Sequence, residues 1–296
     1  MQTLSLRFLQ YGLVASLGAT LLACGGGSGT ATPLAPAPAP VLVLVPSATV
    51  SAVTPVAPLS YGKLASIDVA GVNLDLGITV TAPGCTGLAE GANSSTTVKR
   101  YTCTLTVATV LPVEVKSGAG TSLFSASIPV PDPQVTLVTS LGTVVLELNP
   151  AKAPLSVNNF LKYTSDDFYS NLLFHRVIPN FVIQAGAFTS GPVSKAATYG
   201  PIKLESNNGL SNLRGSLAMA RTRVVDSATS EFYINTVNNI ALDYVSASQP
   251  GYAVFGKVVD GLPVVDAIAA VPTTNRGGLQ NAPVSDVLIL SATQTR

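Results

Sequence analysis

The sequence predicts a mainly β protein in which a small β-sandwich precedes a closed eight-stranded antiparallel barrel with two capping helices. Short β-branched runs broken by Gly and Pro recur along the 296 residues. The composition is 47% hydrophobic but only 6% aromatic, which is typical of a β-rich exported protein and argues against wholesale disorder. The runs after residue 131 correspond to eight strands and two helices, a number of elements that suits one closed barrel.

The first residues are typical of an export signal. Arg7 is the only charged side chain before an uncharged stretch, FLQYGLVASLGATLLAC, that ends at Cys24. This stretch is short for a membrane-spanning helix, which needs ~20 apolar residues. Its end, LLAC, resembles the lipoprotein box of bacteria, in which cleavage leaves a lipid-modified cysteine as the first residue. The alternative is ordinary signal-peptidase cleavage nearby, with Cys24 discarded.

We favour the lipoprotein interpretation because a flexible tether follows the cysteine. The resemblance implies a signal peptide over residues 1–23 and a Gly-, Pro- and Ala-rich tether over residues 24–40. Gly25 stands in place of the aspartate that retains many such lipoproteins in the inner membrane. The resemblance therefore implies an outer-membrane lipoprotein on the periplasmic side of a bacterial cell envelope.

Residues 41–130 predict a β-sandwich of immunoglobulin-like size, with strands such as LASIDVAG and TSLFSASIPV. Cys85 and Cys103 flank a polar loop, and in an exported chain we expect them to form a disulfide that contributes ~3 kcal/mol. Two buried thiols are the alternative. The absence of a Cys-x-x-Cys pair and of a nearby histidine argues against a zinc site.

A different pattern begins at a stiff hinge, PVPDPQ, and defines a second domain over residues 131–296. VTLVTSLGTVVLELNP predicts two strands joined by a turn. APLSVNNFLKYTSDDFY has helical spacing with Pro154 near its start, and its inner face would carry Val157, Phe160, Leu161 and Phe168. Further strands are predicted at LFHRVI, FVIQAG, GSLAMA, EFYIN, YAVFGKVV and VLILSAT, and a second helix at LPVVDAIAAV.

Charge and motif content exclude several classes of function. The formal net charge is +1, and the basic residues form no stripe that could follow a phosphate backbone, so no nucleic-acid partner is expected. The chain has no Gly-x-Ser-x-Gly elbow, no dinucleotide-binding glycine motif, no P-loop and no His-Glu-x-x-His. We therefore expect no cofactor and no metal. His175, the only histidine, has no matching nucleophile motif, which argues against a Ser-His-Asp triad.

One stretch, LLFHRVIPNFVIQAG, places an arginine directly after the only histidine in an apolar run. A guanidinium in such surroundings is unfavourable unless it is paired or functional. At this stretch the chain resembles the cyclophilins, the peptidyl-prolyl cis-trans isomerases. The resemblance continues through NGLSNLRGSLAMARTRVVDSATSEFYINTVNN and GYAVFGKVVDGLPVVDAIAAVPT, covers roughly residues 134–293, and favours the periplasmic bacterial branch.

The chemistry of that family fits the residues present. The cis and trans forms of a residue–proline bond are nearly balanced, and a barrier of ~20 kcal/mol separates them. Twisting the bond destroys the amide resonance and leaves a free lone pair on nitrogen. Catalysis therefore needs an apolar slot for the proline ring and a rigid charged donor, which a guanidinium provides.

The resemblance implies that Arg176 is the catalytic donor. Phe181 and Val182 would line the proline pocket, and Gln184 would hold the guanidinium and contact the substrate backbone. The alternative for Arg176 is a strand-end arginine paired with a carboxylate such as Glu231. The remaining substrate-binding residues implied by the resemblance are Ala220, Arg221, Glu231, Tyr233, Leu242 and Tyr252.

Ordinary barrel packing is the alternative role for these apolar walls, above all for Leu242. Glu231 and Tyr233 would face the same groove because residues i and i+2 of a strand share a side. By the same alternation we expect His175 to point away from the pocket and to be a buried, hydrogen-bonded core residue.

Four positions depart from the family pattern. Glu231 stands where glutamine is common, and a direct pair with Arg176 could neutralise the donor's field or hold its rotamer. Ala241 replaces a large aromatic, which should widen the pocket rim and predicts weak binding of cyclosporin-class inhibitors. Tyr252 replaces a histidine, and Val182 replaces a methionine.

Three hypotheses follow for function. The first is a membrane-tethered isomerase that assists the folding of exported proteins, with proline-containing unfolded polypeptides as partners. The second is a catalytically weak module that only binds proline-containing segments as a chaperone, motivated by Glu231 and Ala241. The third makes residues 41–131 the partner-binding part. Binding of a proline peptide without faster exchange would favour the second over the first.

Overall fold

The computed structural model describes residues 45–296. The signal peptide and tether predicted over residues 1–40, and with them Cys24, lie outside this part of the chain. Residues 46–296 belong to one structural unit. Within it, no α-helix combines the length and the apolar character needed to cross a membrane.

The described part contains strands, two α-helices and a 3-10 turn over Ile240–Leu242 that forms part of the candidate site. In chain order the strands and helices are β1 (Thr49–Pro55), β2 (Leu64–Val72), β3 (Ile78–Thr81), β4 (Cys85–Glu90), β5 (Val98–Leu105), β6 (Thr109–Ser117), β7 (Ser122–Val130), β8 (Gln134–Thr139), β9 (Gly142–Leu148), α1 (Pro154–Ser165), β10 (Leu172–Ile178), β11 (Val182–Thr189), β12 (Val193–Ser194), β13 (Ser216–Met219), β14 (Phe232–Asn235), β15 (Val254–Asp260), α2 (Leu262–Ala269), β16 (Thr273–Arg276), β17 (Leu279–Pro283) and β18 (Leu288–Gln294).

Residues 49–130 form a two-sheet unit with its own apolar core. One sheet has the order β1-β2-β5-β4 and the other the order β3-β6-β7. In β6 the buried residues Leu111, Val113 and Val115 alternate with more exposed ones, as the two-residue period of a strand requires. A disulfide joins Cys85 in β4 to Cys103 in β5, with the two Cα atoms 5.4 Å apart.

Eight of the strands from β8 onward close into a barrel, and β16 and β17 form a separate two-stranded sheet. The order of the barrel is β10-β18-β8-β9-β15-β13-β14-β11, and a direct antiparallel pairing of β10 with β11 closes the circle. The short β12 extends β11 outside the circle. The closed eight-stranded barrel with two helices predicted from the sequence is thereby confirmed.

Helix α1 begins at Pro154, where the missing N–H costs nothing because first-turn donors lack intrahelical partners. The Glu205 carboxylate accepts hydrogen bonds from the backbone N–H groups of Leu155 and Ser156, which caps this end. The prediction that Phe168 belongs to the helix is wrong. The helix ends at Ser165, and Asp167 adopts a left-handed conformation, with φ of 54°, that redirects the chain.

A buried junction connects the two-sheet unit to the barrel. Tyr61 is 3% exposed and packs within the apolar core of the barrel. Its hydroxyl donates a hydrogen bond of 2.8 Å to Oδ1 of Asn158 in α1. The side-chain amide of Gln294 in β18 donates a hydrogen bond of 2.9 Å to the Tyr61 carbonyl. The Tyr61 side chain is therefore buried by the packing of the two parts against each other.

Candidate active site

A cavity of about 360 Å³ opens on the face formed by β10, β11, β13 and β14. Nine of the ten residues expected to bind or act on substrate line it. They are Arg176, Phe181, Val182, Gln184, Ala220, Arg221, Tyr233, Leu242 and Tyr252. The tenth, Glu231, contacts the cavity through Gln184.

Strand register brings these side chains together. The pairing of β10 with β11 sets Arg176 opposite Gln184, and the pairing of β11 with β14 sets Gln184 opposite Tyr233. Directly opposed side chains on neighbouring strands lie within about 5.5 Å of each other at Cβ. The register therefore places the charged donor, its amide neighbour and an aromatic wall in one row across three strands.

Part of the cavity wall is an apolar cluster. Val182 and Tyr233 are buried, and Phe181, Leu242 and Tyr252 are half-buried and pack against the same cluster. Leu242 belongs to the 3-10 turn, which holds it over the cavity. An apolar slot of this kind suits a proline ring, since burying the ring removes it from water.

Arg176 lies at the edge of this slot. Its Nη1 donates a hydrogen bond of 3.2 Å to Oε1 of Gln184, and its guanidinium carbon is 5.6 Å from the centroid of the Phe181 ring. Among residues 45–296 it forms no ion pair with a carboxylate, and Glu231 is paired with His175 instead. The guanidinium charge therefore remains available to a bound substrate.

Glu231 and His175 lie behind Gln184. Nε2 of Gln184 donates a hydrogen bond of 2.7 Å to Oε2 of Glu231, and Nε2 of His175 is 3.3 Å from the same oxygen. Burial alone would raise the pKa of Glu231, but the hydrogen bonds from His175 and Gln184 and the attraction to His175 hold that pKa below its usual range. Glu231 is therefore ionised at neutral pH.

His175 is buried, as expected, and its ring packs 4.8 Å from that of Phe188. It does not line the cavity. Its polar contact with Glu231 nevertheless connects it to the residues behind the arginine.

Arg221 forms part of the rim of the cavity. Its Nε and Nη2 donate hydrogen bonds of 3.0 and 2.7 Å to the Gly251 carbonyl, and its guanidinium lies 4.7 Å from the Tyr252 ring centroid. Several of its donors are thus used to hold the segment that carries Tyr252. The side chain can shape the rim in addition to the substrate contact expected for it.

A network of buried polar side chains next to the cavity was not predicted from the sequence. The Tyr233 hydroxyl donates to Oδ1 of Asn212 at 2.7 Å, and Nδ2 of Asn235 donates to the same oxygen at 3.2 Å. Asn212 in turn donates from its backbone and side chain to Asp243, which follows the 3-10 turn. Nδ2 of Asn239 donates to Oδ1 of Asn235 at 2.7 Å.

This network fixes the walls of the cavity. Burial raises the pKa of Tyr233 far above its usual range, so its hydroxyl stays a neutral donor. Burial also raises the pKa of Asp243, but hydrogen bonds from Ser211 and Asn212 outweigh it and hold that pKa below its usual range. The only sign in the sequence is the frequency of asparagine in NGLSNLRG and YINTVNN.

Among residues 45–296, no group of three or more His, Cys, Asp or Glu side chains is placed to hold a metal ion. The cavity offers instead a charged donor, an amide and apolar walls. Such a set can bind a proline-containing chain and act on it by electrostatics, without a nucleophile.

Comparison with known proteins agrees with this geometry. The family model "Cyclophilin type peptidyl-prolyl cis-trans isomerase/CLD" matches residues 134–294, a little over half of the chain. A peptidyl-prolyl cis-trans isomerase of Acinetobacter baylyi is 52% identical over 157 residues, which are 53% of this chain and 82% of the relative. Peptidyl-prolyl cis-trans isomerase B of Escherichia coli is 49% identical over 161 residues, which are 54% of this chain and 98% of the relative.

A solved structure of a Cryptosporidium parvum cyclophilin type peptidyl-prolyl cis-trans isomerase aligns with a TM-score of 0.49 and 24% identity, over 56% of this chain and 98% of that one. The segment matched by the family model includes the whole barrel and every residue that lines the cavity. The chain belongs to the cyclophilin-type peptidyl-prolyl cis-trans isomerases, and its activity is the rotation of Xaa–Pro peptide bonds.

Proposed function

We propose that this isomerase assists the folding of exported proteins at the bacterial cell envelope, with Arg176 as the catalytic donor. One observation carries the catalytic assignment. The Arg176 guanidinium lies at the edge of the apolar slot, beside Phe181, and forms no ion pair with a carboxylate among residues 45–296. A proline ring seated in the slot would bring its amide nitrogen next to this charge.

The proposed step is a rotation and breaks no covalent bond. Phe181, Val182 and Leu242 hold the proline ring while the preceding peptide unit turns. As the amide twists, its nitrogen becomes pyramidal and gains a lone pair that can accept a hydrogen bond. An Arg176 N–H donates to this lone pair, and the apolar surroundings strengthen the interaction. Lowering the barrier by ~5.5 kcal/mol accelerates rotation ~10⁴-fold.

In this proposal Arg221 contacts the bound chain at the rim of the cavity, and Gln184 donates a hydrogen bond to its backbone. Nε2 of Gln184 has two hydrogens, of which Glu231 takes one. The second can donate to a backbone carbonyl of the bound chain. Since the described cavity is small, recognition would reach little beyond the proline and its neighbours, which suits unfolded polypeptides of diverse sequence.

The location rests on the first 40 residues and on the disulfide. The uncharged stretch ending in LLAC supports a lipid anchor at Cys24, with residues 24–40 as a tether. The domain over residues 41–130 would then stand between the membrane and the isomerase domain over residues 131–296. The disulfide between Cys85 and Cys103 supports export, because such bonds persist in oxidising compartments.

Refolding of an exported protein whose slow phase is proline isomerisation tests the catalytic part. The full chain should accelerate that phase at catalytic concentrations, and Arg176→Ala should abolish most of the acceleration. A slow phase unaffected by the chain would refute the proposal, as would an equal rate with Arg176→Ala.

Cell fractionation tests the location. The wild type should incorporate labelled fatty acid and sediment with the outer membrane, whereas Cys24→Ser should lose the label and the membrane association. If Cys24→Ser incorporates no fatty acid but still sediments with the outer membrane, the proposed lipid anchor at Cys24 is refuted.

A further inference from the structure

Four side chains form a continuous line of polar contacts that begins at the cavity and ends in the core. Arg176 donates to Oε1 of Gln184 at 3.2 Å, and Nε2 of Gln184 donates to Oε2 of Glu231 at 2.7 Å. Nε2 of His175 lies 3.3 Å from that same Oε2. The line therefore places a carboxylate and a histidine directly behind the arginine's amide partner.

The chemistry of the two flanking groups fixes the direction of every contact. A guanidinium can only donate hydrogen bonds, and an ionised carboxylate can only accept them. The Gln184 amide must therefore present its oxygen to Arg176 and its nitrogen to Glu231. A flipped Gln184 amide would place its N–H groups against the guanidinium and its oxygen against the carboxylate. Both neighbours therefore disfavour the flipped orientation.

We propose that Glu231, held in place by His175, is a positioning residue that fixes the amide orientation of Gln184 and thereby the guanidinium of Arg176. This inference rests on the proposed function, because it takes Arg176 as the catalytic donor. It gives a role to the position where this chain departs from the glutamine common in its family.

The surroundings of His175 support this role. The ring is 4% exposed, and its Nδ1 has no hydrogen-bond partner among residues 45–296. The contact of Nε2 with Glu231 is therefore the polar contact that the buried ring retains. A buried imidazole with one polar partner constrains that partner, since moving the carboxylate away would leave a second buried nitrogen unsatisfied.

A glutamine at position 231 could fix the orientation of the Gln184 amide only in part. Both contacts of Glu231 fall on one oxygen, so a correctly oriented amide oxygen could accept both. However, such an amide has a second orientation that offers N–H groups to Gln184 and His175. A carboxylate has no such wrong orientation. Methionine, which is similar in length, offers neither an oxygen nor a charge.

Peptide exchange with Glu231→Met and Glu231→Gln in the full chain tests the proposal. We expect kcat/KM of Glu231→Met for an Ala-Pro peptide to fall roughly tenfold, the size expected for a lost hydrogen bond to a charged group. The Kd of the peptide should rise much less than kcat/KM falls, because the apolar walls that hold proline are unchanged and only the Gln184 contact with the substrate backbone is weakened. Glu231→Gln should recover most of the loss.

Side-chain amide signals of Gln184 in ¹⁵N NMR spectra give a readout that a merely structural role would not move. The wild type should show one sharp pair of signals, and Glu231→Met should show a broadened or doubled pair. If Glu231→Met does not fold, His175→Phe keeps the ring packing and removes the donor. We then expect a several-fold loss of kcat/KM with a much smaller rise in peptide Kd.

Arg176→Ala separates failure of this inference from failure of the proposed function. Wild-type activity in Arg176→Ala would refute the proposed function itself. If Arg176→Ala is inactive but folded Glu231→Met or His175→Phe keeps full activity, the positioning role is overturned. A loss of peptide affinity that matches the loss of rate, or no recovery in Glu231→Gln, would overturn it as well.

Discussion

Glu231 lies behind Gln184 and not against Arg176. The Gln184 amide spans the gap, 3.2 Å from the arginine on one side and 2.7 Å from the glutamate on the other. A direct ion pair with Glu231 would have cancelled much of the electric field of the guanidinium. The intervening neutral amide leaves that field available to a bound substrate. The presence of Glu231 at a position where glutamine is common therefore does not by itself neutralise the donor.

Replacing Gln184 with glutamate should create the direct ion pair that the wild type avoids. A carboxylate at position 184 would face Arg176 and stand beside Glu231, so the pKa of one of the two carboxyl groups should rise. We expect kcat/KM to fall at least about tenfold at pH 7 and to recover in part as the pH is lowered and the new carboxylate is protonated. Peptide exchange measured between pH 5 and 8 checks this.

Gln184→Met is the matched control for that substitution. It removes the amide without adding a charge, so its loss of rate should not diminish at lower pH. Full activity of Gln184→Glu across the pH range would show that the field of Arg176 is not what drives catalysis.

Gly186 in β11 should not tolerate a side chain. Its φ is 111°, and a Cβ there would lie 2.5 Å from the Ser230 carbonyl oxygen. Gly186→Ala should lower the free energy of unfolding by about 2 kcal/mol or more. Gly200→Ala is the control, since a Cβ at that position meets nothing within 4 Å. Equal stability of the two variants in urea denaturation would contradict this prediction.

The small side chain of Ala241 predicts weak binding of cyclosporin-class inhibitors. Ala241 is exposed in the 3-10 turn, next in sequence to Leu242, which lines the cavity. Ala241→Trp should tighten inhibitor binding about tenfold, because an aromatic anchor at a rim adds buried apolar area. Calorimetric titration checks this, with Ala241→Ser as the control. Tight binding by the wild type, or no gain in Ala241→Trp, would be inconsistent with this prediction.

The junction at Tyr61 should make the two-sheet unit and the barrel unfold together. Tyr61→Ala should lower the free energy of unfolding by about 3 kcal/mol through the cavity it leaves. Tyr61→Phe should lower it by about 1 kcal/mol through loss of the hydrogen bond to Asn158. Denaturation followed by two probes should give one transition. Two separate transitions in the wild type would show that the junction does not couple the parts.

Much of the barrel could be predicted because its signals are local. The two-residue alternation of strands such as β8 and β9, and the helical spacing after Pro154, depend on neighbours in sequence. Phe181, Val182 and Gln184 lie within one continuous motif, so that motif already indicated the slot and the amide beside the arginine. Phe168 was misplaced because the left-handed turn at Asp167 ends α1 before it.

The contacts behind the arginine could not be predicted because they depend on register. Alternation along β10 indicates that the His175 side chain points away from Arg176. It cannot indicate which side chain of another strand His175 contacts. The pairing of β10 with β11 shifts between Phe174 and Arg176, which leaves His175 without a directly paired residue on β11. Such a bulge, and the resulting contact with Glu231, arise only once the barrel is closed.

The network of Asn212, Asn235 and Asp243 was missed for a related reason. Its members are separated by 23 and 31 positions in the chain and meet only in the fold. Asparagine in a sequence more commonly indicates a turn than a buried hydrogen bond. The walls of the site could therefore be predicted, whereas the polar groups that hold those walls could not.

Cis–trans exchange of a short Ala-Pro peptide, measured by NMR with the full chain, tests the central claim most directly. The wild type should accelerate exchange, and Arg176→Ala should reduce kcat/KM at least about 100-fold, as loss of one preorganised hydrogen-bond donor does elsewhere. Arg176→Lys should recover only part of this, because an ammonium lacks the rigid fork of the guanidinium. Peptide Kd should change little in either variant. Exchange catalysed by a folded Arg176→Ala at the wild-type rate would contradict the account.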